Sequence, residues 1–87
     1  MSIQVELTYD MGKAIGEHRF EVEAAATVAD VVEQTRQRFK EGGDEFAKLA
    51  HVTRVAVNGV LVKHSKGMKT ALKDGDRVGF VKASAGG

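Results

Sequence analysis

The 87-residue sequence predicts an α+β fold, in which one main helix packs on one face of a mixed sheet of four to five strands. Two observations support this prediction. Several short segments alternate apolar and polar residues, as half-buried strands do. After the second of these segments, the apolar spacing changes to three and four residues, which is the period of a helix. The length is that of one domain.

The first two strands are predicted to form a hairpin. The segment SIQVELTY carries apolar side chains at every second position of residues 3–9, so Tyr9 is expected to face inward. The segment EHRFEVE alternates in the same way over residues 18–22, so the imidazole of His18 is expected to lie on the inward face. Between them, DMGKAIG contains Gly12 and Gly16 and predicts a turn.

The main helix is predicted from about residue 28 to residue 41. Its apolar stripe consists of Val28, Val31, Val32, Thr35 and Phe39. Thr27 and Asp30 resemble a capping box at its start. Gly42 and Gly43 stand where a left-handed stop is expected. The segment DEFAKLA that follows predicts one further short helical turn.

The C-terminal half predicts three strands. In TRVAVNG, Val55 and Val57 are expected to face inward, and Asn58-Gly59 is a strong hairpin-turn dipeptide. The segment VLVKH is the short return strand. Asp74-Gly75 marks another tight turn before the last strand, RVGFVK, whose residues 78 and 80 are expected to face inward.

The opposite face of the sheet, close to the end of the chain, is a candidate partner-binding surface. Its expected members are Ala56, Arg77, Gly79 and Val81. Small and apolar side chains there would let a partner lie flat on the sheet. We divide the chain into a domain over residues 1–82 and a flexible tail over residues 83–87, because ASAGG has no hydrophobic anchor.

Composition excludes several classes of function. The formal net charge of +1, with acidic and basic residues interspersed, argues against a nucleic-acid binder. The absence of cysteine excludes disulfides, thiolate metal sites and cysteine catalysis. The N-terminus does not resemble a signal peptide, and no apolar stretch approaches the roughly 20 residues of a membrane span. We therefore expect a cytoplasmic protein with no membrane association.

No catalytic constellation can be assembled from the pattern, so a stand-alone enzyme is not predicted. His18, His51 and His64 lack ligand spacing, and no metal site is predicted. Asp74-Gly75-Asp76 predicts a turn, because further acidic ligands at calcium-loop spacing are absent. The lysines around residues 63–73 are typical of a solvated face, and the alternative is that they steer an acidic partner.

Three features in the last third of the chain resemble the MoaD/ThiS family of sulfur carrier proteins, which have the ubiquitin-like β-grasp fold. They are the Val-Asn-Gly turn at residues 57–59, the Leu-x-Asp-Gly-Asp turn at residues 72–76, and the terminal Gly86-Gly87. The length is most similar to that of the molybdopterin synthase small subunit. The chain departs from many relatives in having no proline shortly before the two glycines.

The resemblance implies that the working group is the C-terminal carboxylate of Gly87. A ubiquitin-activating-enzyme-like adenylyltransferase of the MoeB/ThiF type would adenylate it with ATP and magnesium. A sulfur donor would then displace AMP and leave a thiocarboxylate for cofactor biosynthesis. Ser84, Ala85 and Gly86 would thread into the partner. The protein would be a carrier substrate that binds no cofactor itself, and a molybdopterin synthase large subunit would be a further partner.

Three alternatives remain open at the sequence level. The chain could carry sulfur for cysteine synthesis, thiamine synthesis or tRNA thiolation. It could instead be a ubiquitin-like modifier that is joined to target lysines through Gly87. A third possibility is a non-catalytic β-grasp interaction module, in which the two glycines are an ordinary loose end.

Overall fold

The computed structural model describes residues 2–63 and 66–82. Within this part, the chain forms five strands and three helices. In order they are β1 (Ser2–Glu6), α1 (Tyr9–Ile15), β2 (Arg19–Glu23), α2 (Val28–Arg38), α3 (Gly43–Val52), β3 (Arg54–Val57), β4 (Val60–Leu61) and β5 (Arg77–Val81).

The five strands form one mixed sheet in the order β2-β1-β5-β3-β4. β1 and β5 pair in parallel, with Val5 opposite Val78, and the other neighbours are antiparallel. The predicted α+β class and mixed sheet are confirmed. The last strand of the chain, β5, lies in the middle of the sheet.

The hydrophobic core lies between one face of the sheet and the helices. Its fully buried side chains include Ile3, Val5, Val28, Val31, Phe46, Ala50 and Val78. The Phe46 ring of α3 meets the Phe80 ring of β5 edge-on, with centroids 6.1 Å apart. The alternation in β1 and β5 therefore predicted their buried faces correctly.

The segment DMGKAIG is a helix, so the prediction of a turn there is wrong. α1 starts after Thr8, whose Oγ1 accepts a hydrogen bond from the Met11 amide at 3.2 Å, and it ends at Gly16 with φ 83°. Met11 is fully buried. Because β1 ends at Glu6, Tyr9 is helical and 70% exposed, where the strand pattern predicted an inward side chain.

His18 is exposed, so its predicted inward position is also wrong. β2 begins one residue later, at Arg19. The imidazole of His18 lies so close to Gly12 of α1 that a Cβ atom at Gly12 would collide with the ring. The centroid of the imidazole is 5.9 Å from the centroid of the Tyr9 ring. The helix that replaces the predicted turn therefore provides the surface on which His18 packs.

The main helix, α2, begins as predicted and ends earlier. The Asp30 amide donates to Thr27 Oγ1 at 3.2 Å, and the Thr27 amide donates to Asp30 Oδ2 at 3.1 Å, which confirms the capping box. The helix ends at Arg38, three residues before the predicted end. Phe39 follows as a half-buried residue whose ring meets Phe20 edge-on at 5.6 Å.

Gly42 was predicted to end α2, but it directly precedes the first residue of α3. It is the left-handed N-cap of α3, with φ 82°. α3 is ten residues long, longer than the single turn expected from DEFAKLA. It is stabilised by the burial of Phe46 and Ala50, which are both completely inaccessible to solvent. One main helix was predicted, and three are present in the described residues.

The β3–β4 hairpin turns at Asn58 and Gly59, with φ 52° and 82°, as this dipeptide predicts. β4 pairs with β3 over only two residues. Val55 is buried, and Val57 is half-buried. No helix of the described residues combines the length and the apolar character that crossing a membrane requires.

Candidate functional site

The sheet face opposite the helices carries an apolar surface around the end of β5. Strand register brings its members together, since Gly79 lies opposite Ala56, and Leu61 is the other partner of Ala56. Val81, the last residue of β5, lies on the same face. We call Ala56, Leu61, Gly79 and Val81 the outer patch. It unites three of the four partner-binding residues predicted from the sequence.

The members of the outer patch differ in exposure. Leu61 is 52% exposed and Val81 is 43% exposed, so these two side chains supply most of the accessible apolar surface. Ala56 is only 8% exposed, so this predicted member adds little accessible area to the patch. A Cβ atom built on Gly79 would meet nothing within 4 Å, so space remains above this strand. The patch is therefore a shallow apolar floor between two exposed side chains.

Arg77 lies beside the outer patch, and Leu61 within the patch was not predicted as a partner-binding residue. Arg77, the fourth predicted residue, is exposed on the same face of β5, two residues before Gly79. Leu61 was missed in the sequence, where VLVKH was interpreted only as a return strand. The signal that could have found it is the two-residue turn, because an Asn-Gly hairpin places Leu61 directly opposite Ala56.

Two turns that lie far apart in sequence hold the start of β5. The carboxylate of Asp76 accepts hydrogen bonds from the Asn58 side-chain amide and from the Lys73 backbone amide, both at 2.9 Å. Asn58 Oδ1 in return accepts from the Arg77 amide at 3.0 Å. The Asn58 hydrogen bond, followed by that of Lys73, lowers the pKa of Asp76 below its ordinary value. Both predicted turns are therefore joined by one buried carboxylate.

The Asp74-Gly75 turn attaches the beginning of β1 to the same region. Asp74 Oδ1 accepts a hydrogen bond from the Ser2 amide at 2.7 Å, and the Gly75 amide donates to the Ser2 carbonyl at 2.9 Å. These contacts position β5 between β1 and β3. The direction in which the chain leaves β5 is therefore set by hydrogen bonds from two turns and two neighbouring strands.

The chain leaves the sheet beside the outer patch. Val81 ends the central strand and belongs to the patch, and Lys82, which follows, is exposed. The predicted tail residues Ser84, Ala85, Gly86 and Gly87 lie outside the described residues. Their threading into a partner and the chemistry at Gly87 stay predictions.

The described residues contain no cluster of three or more His, Asp or Glu side chains that could hold a metal ion. His51 is exposed at the end of α3, and His64 lies outside the described residues. Asp74 and Asp76 both use their carboxylates to bind chain amides. The Asp-Gly-Asp segment is thus a turn, as predicted.

The comparisons with known proteins agree with this geometry. The ThiS family model matches residues 9–87. A chain of the BexX/CysO complex from Amycolatopsis orientalis is 27% identical, with a TM-score of 0.72, and the match covers 98% of this chain and 99% of that one. Comparison with curated protein sequences gives no match.

Two further solved structures have the same fold. A chain of the complex of subunits 1 and 2 of molybdopterin-converting factor from Helicobacter pylori is 25% identical, with a TM-score of 0.64 and full coverage of both chains. SAMP1 from Haloferax volcanii is 19% identical, with a TM-score of 0.70 and full coverage of both, which shows the fold alone. The family match spans nearly the whole chain, and the mixed sheet agrees with these β-grasp structures. This chain therefore belongs to the ThiS family of ubiquitin-like sulfur carrier proteins.

Proposed function

We propose that this protein carries sulfur as a thiocarboxylate on Gly87 and donates it in cofactor biosynthesis, as a molybdopterin synthase small subunit does. The observation that supports this most is the family match, which extends through Gly86 and Gly87. The position of β5 adds support, because its last residue, Val81, belongs to an exposed apolar surface.

The proposed chemistry needs no side chain of this protein. A carboxylate oxygen of Gly87 attacks the α-phosphorus of ATP, and pyrophosphate leaves. A sulfur nucleophile then attacks the carbonyl carbon, and AMP leaves with the electrons of the C–O bond. With hydrosulfide as the donor, the product is directly the thiocarboxylate. ATP and magnesium are bound by the activating enzyme, so the chain is its substrate.

The outer patch is proposed as the surface that binds the adenylyltransferase and, in a later step, a synthase large subunit. Its exposed side chains, Leu61 and Val81, lie on either side of the low floor formed by Ala56 and Gly79. Burial of such apolar surface stabilises a complex, and the exposed Arg77 can add a charged contact at its rim. Because Val81 is also the last residue of β5, a partner on the patch lies next to the emerging tail.

The neighbouring structures are compatible with more than one acceptor. The Helicobacter pylori complex pairs two subunits of molybdopterin-converting factor, whereas the Amycolatopsis orientalis complex pairs BexX with CysO. We place molybdopterin synthesis first because the chain length agrees with that type, and the other sulfur-transfer pathways remain alternatives.

An intact mass spectrum tests the proposed chemistry. The protein is incubated with an adenylyltransferase of the MoeB type, ATP, magnesium and hydrosulfide. We expect a mass increase equal to the exchange of one oxygen for sulfur, and we expect no increase in a variant that lacks Gly87. Thiocarboxylation of a chain extended beyond Gly87 would contradict the proposal, as would an unchanged mass across several activating enzymes.

The patch is tested with matched variants of two exposed valines. Val81→Glu places a carboxylate in the outer patch, whereas Val60→Glu places one on β4 at a position that is 69% exposed. We expect Val81→Glu to raise the KM of adenylation for the carrier about tenfold or more, and Val60→Glu to change it less than about twofold. Equal effects of the two variants would remove the patch from the proposal.

A separate experiment distinguishes the modifier alternative. Peptide mapping of cell extracts that contain the protein would show Gly87 in an isopeptide bond with a target lysine if the chain is a modifier. A thiocarboxylate without such conjugates favours the carrier. A variant that lacks Gly86 and Gly87 and retains full biological activity would support the interaction module.

A further inference from the structure

Charged residues are unevenly distributed along the chain, although the formal net charge is only +1. Residues 46–73 contain six lysines and arginines and no aspartate or glutamate. Ten of the twelve acidic residues precede this stretch, and the other two are Asp74 and Asp76. β3 and β4 lie within the stretch and form one side of the sheet, whereas β2 and β1 form the other. The β4 side is therefore basic, without acidic side chains of its own.

A small cavity on this side is lined by basic side chains. It has a volume of about 60 Å³, and Arg54, Thr53, His51 and Lys63 are among the residues that line it. Arg54 Nη2 donates to the Val62 carbonyl at 3.2 Å, while Arg54 Nε is buried and has no acceptor among the described residues. The cavity is therefore lined by a cation that the described residues pair only in part.

A larger open hollow adjoins this cavity. Its volume is about 630 Å³. Val62 and Lys63 line both this hollow and the smaller cavity beside Arg54. Lys66 and Lys69 add two further ammonium groups, and Ala71 adds apolar surface. Lys63, Lys66 and Lys69 thus line one hollow, whereas Lys73, the fourth lysine of this part of the sequence, does not.

We propose that the Arg54 cavity and the lysine hollow together bind an acidic, partly apolar segment of a partner protein. One carboxylate enters the cavity beside the Arg54 guanidinium, since the cavity has room for several water-sized groups at about 10–15 Å³ each. Further carboxylates pair with the lysines, and an apolar side chain covers Val62 and Ala71. A guanidinium matches the geometry of a carboxylate well, and its charge strengthens the hydrogen bond.

The site lies where the chain leaves the sheet. Arg54 is the strand partner of Val81, so the cavity is close to the start of the tail. The partner is therefore the protein that receives the tail, and this assignment rests on the proposed function. The apolar floor favours an acidic protein segment over a nucleic-acid backbone, which presents phosphates and sugars to such a surface.

The first experiment measures binding by the full chain without any enzyme. An end-blocked peptide of sequence Glu-Leu-Glu-Glu is titrated into ¹⁵N-labelled protein, and Gln-Leu-Gln-Gln is the control probe. We expect a saturable shift of the Arg54 Nε–H signal that is specific to the acidic peptide and weakens with salt. Arg54→Lys should weaken binding about tenfold, because a charge-assisted hydrogen bond is lost.

Two further variants test the same site without changing Arg54, in case Arg54→Lys perturbs folding. Lys66→Gln should weaken binding, whereas Lys13→Gln, which removes the same charge from α1, should change it less than about twofold. The proposal is overturned if the Arg54 Nε–H signal does not respond, or if both peptides shift it equally. Tighter binding of a single-stranded oligonucleotide at the same residues would also overturn it.

The second experiment identifies the partner. In the thiocarboxylation assay, Arg54→Lys and Lys66→Gln should raise the KM for the carrier and leave kcat unchanged, and Lys13→Gln should alter neither. An unchanged KM in both site variants would refute the assignment to the tail-receiving protein. If the unmodified chain forms no thiocarboxylate, the proposed function fails, while the peptide titration still decides whether the acidic segment binds.

Discussion

Asp76 is a buried carboxylate that joins two turns separated by 18 residues. The sequence predicts both turns from short local signals, namely Asn-Gly and Asp-Gly-Asp. It does not predict that the side chain of one turn binds the side chain of the other. This contact appears only after β3 and β5 have paired, because that pairing brings Asn58 next to Arg77.

Acid should weaken the fold through Asp76. Its folded-state pKa is lowered, first by the Asn58 hydrogen bond, so its contribution to stability is complete above the ordinary carboxyl range. That contribution is lost as the pH falls below about 4 and through the folded-state pKa. Urea unfolding from pH 7 to pH 2 should show a flatter pH dependence for Asp76→Asn than for the unmodified chain.

The matched control for this measurement is Glu41→Gln, which removes a carboxylate from an exposed turn. The pH profile of Asp76→Asn is compared with that of this variant. Identical pH profiles for the two variants would show that the hydrogen bonds of Asp76 do not stabilise the native state.

At the scale of elements, local signals predicted the start of α2 better than its end. The capping box of α2 involves residues three positions apart, so the sequence contains all of it. The end of α2 and the start of α3 depend on how two helices meet. The Gly43 backbone lies so close to the Arg36 carbonyl that a Cβ atom would collide with it, and no local pattern contains this contact.

Gly42 and Gly59 form a matched pair for a stability measurement. Both have φ 82°, but a Cβ atom at Gly42 would collide with the Ala14 carbonyl of α1, and one at Gly59 would meet nothing within 4 Å. Gly59→Ala should cost only the strain of a left-handed alanine, about 1–2 kcal/mol. Gly42→Ala should cost about 1–3 kcal/mol more, because backbone must move. Equal losses in chemical denaturation would contradict the predicted collision.

At the scale of the whole molecule, the described core is complete before the tail begins. The buried apolar side chains extend from Ile3 to Phe80, and the pairing of β5 ends at Val81. The domain boundary after residue 82 stays a prediction.

Removal of residues 83–87 should therefore leave the midpoint of thermal unfolding unchanged while it abolishes thiocarboxylation. A chain that ends at Gly79 is the control, because it also loses Phe80 from its contact with Phe46 and should unfold at a lower temperature. A lower midpoint for the chain of residues 1–82 would show that the tail contributes to the fold.

The sequence by itself determined the strands, the start of the main helix, the hairpin turns and the family, because each depends on residues a few positions apart or on a short motif. The tertiary structure alone decided the features that depend on distant neighbours. It made a helix of the predicted turn before β2, covered Ala56 and left Arg54 Nε buried without a described acceptor. The physical reason is that burial and steric contact are properties of pairs of residues that meet only when the sheet and the helices pack together.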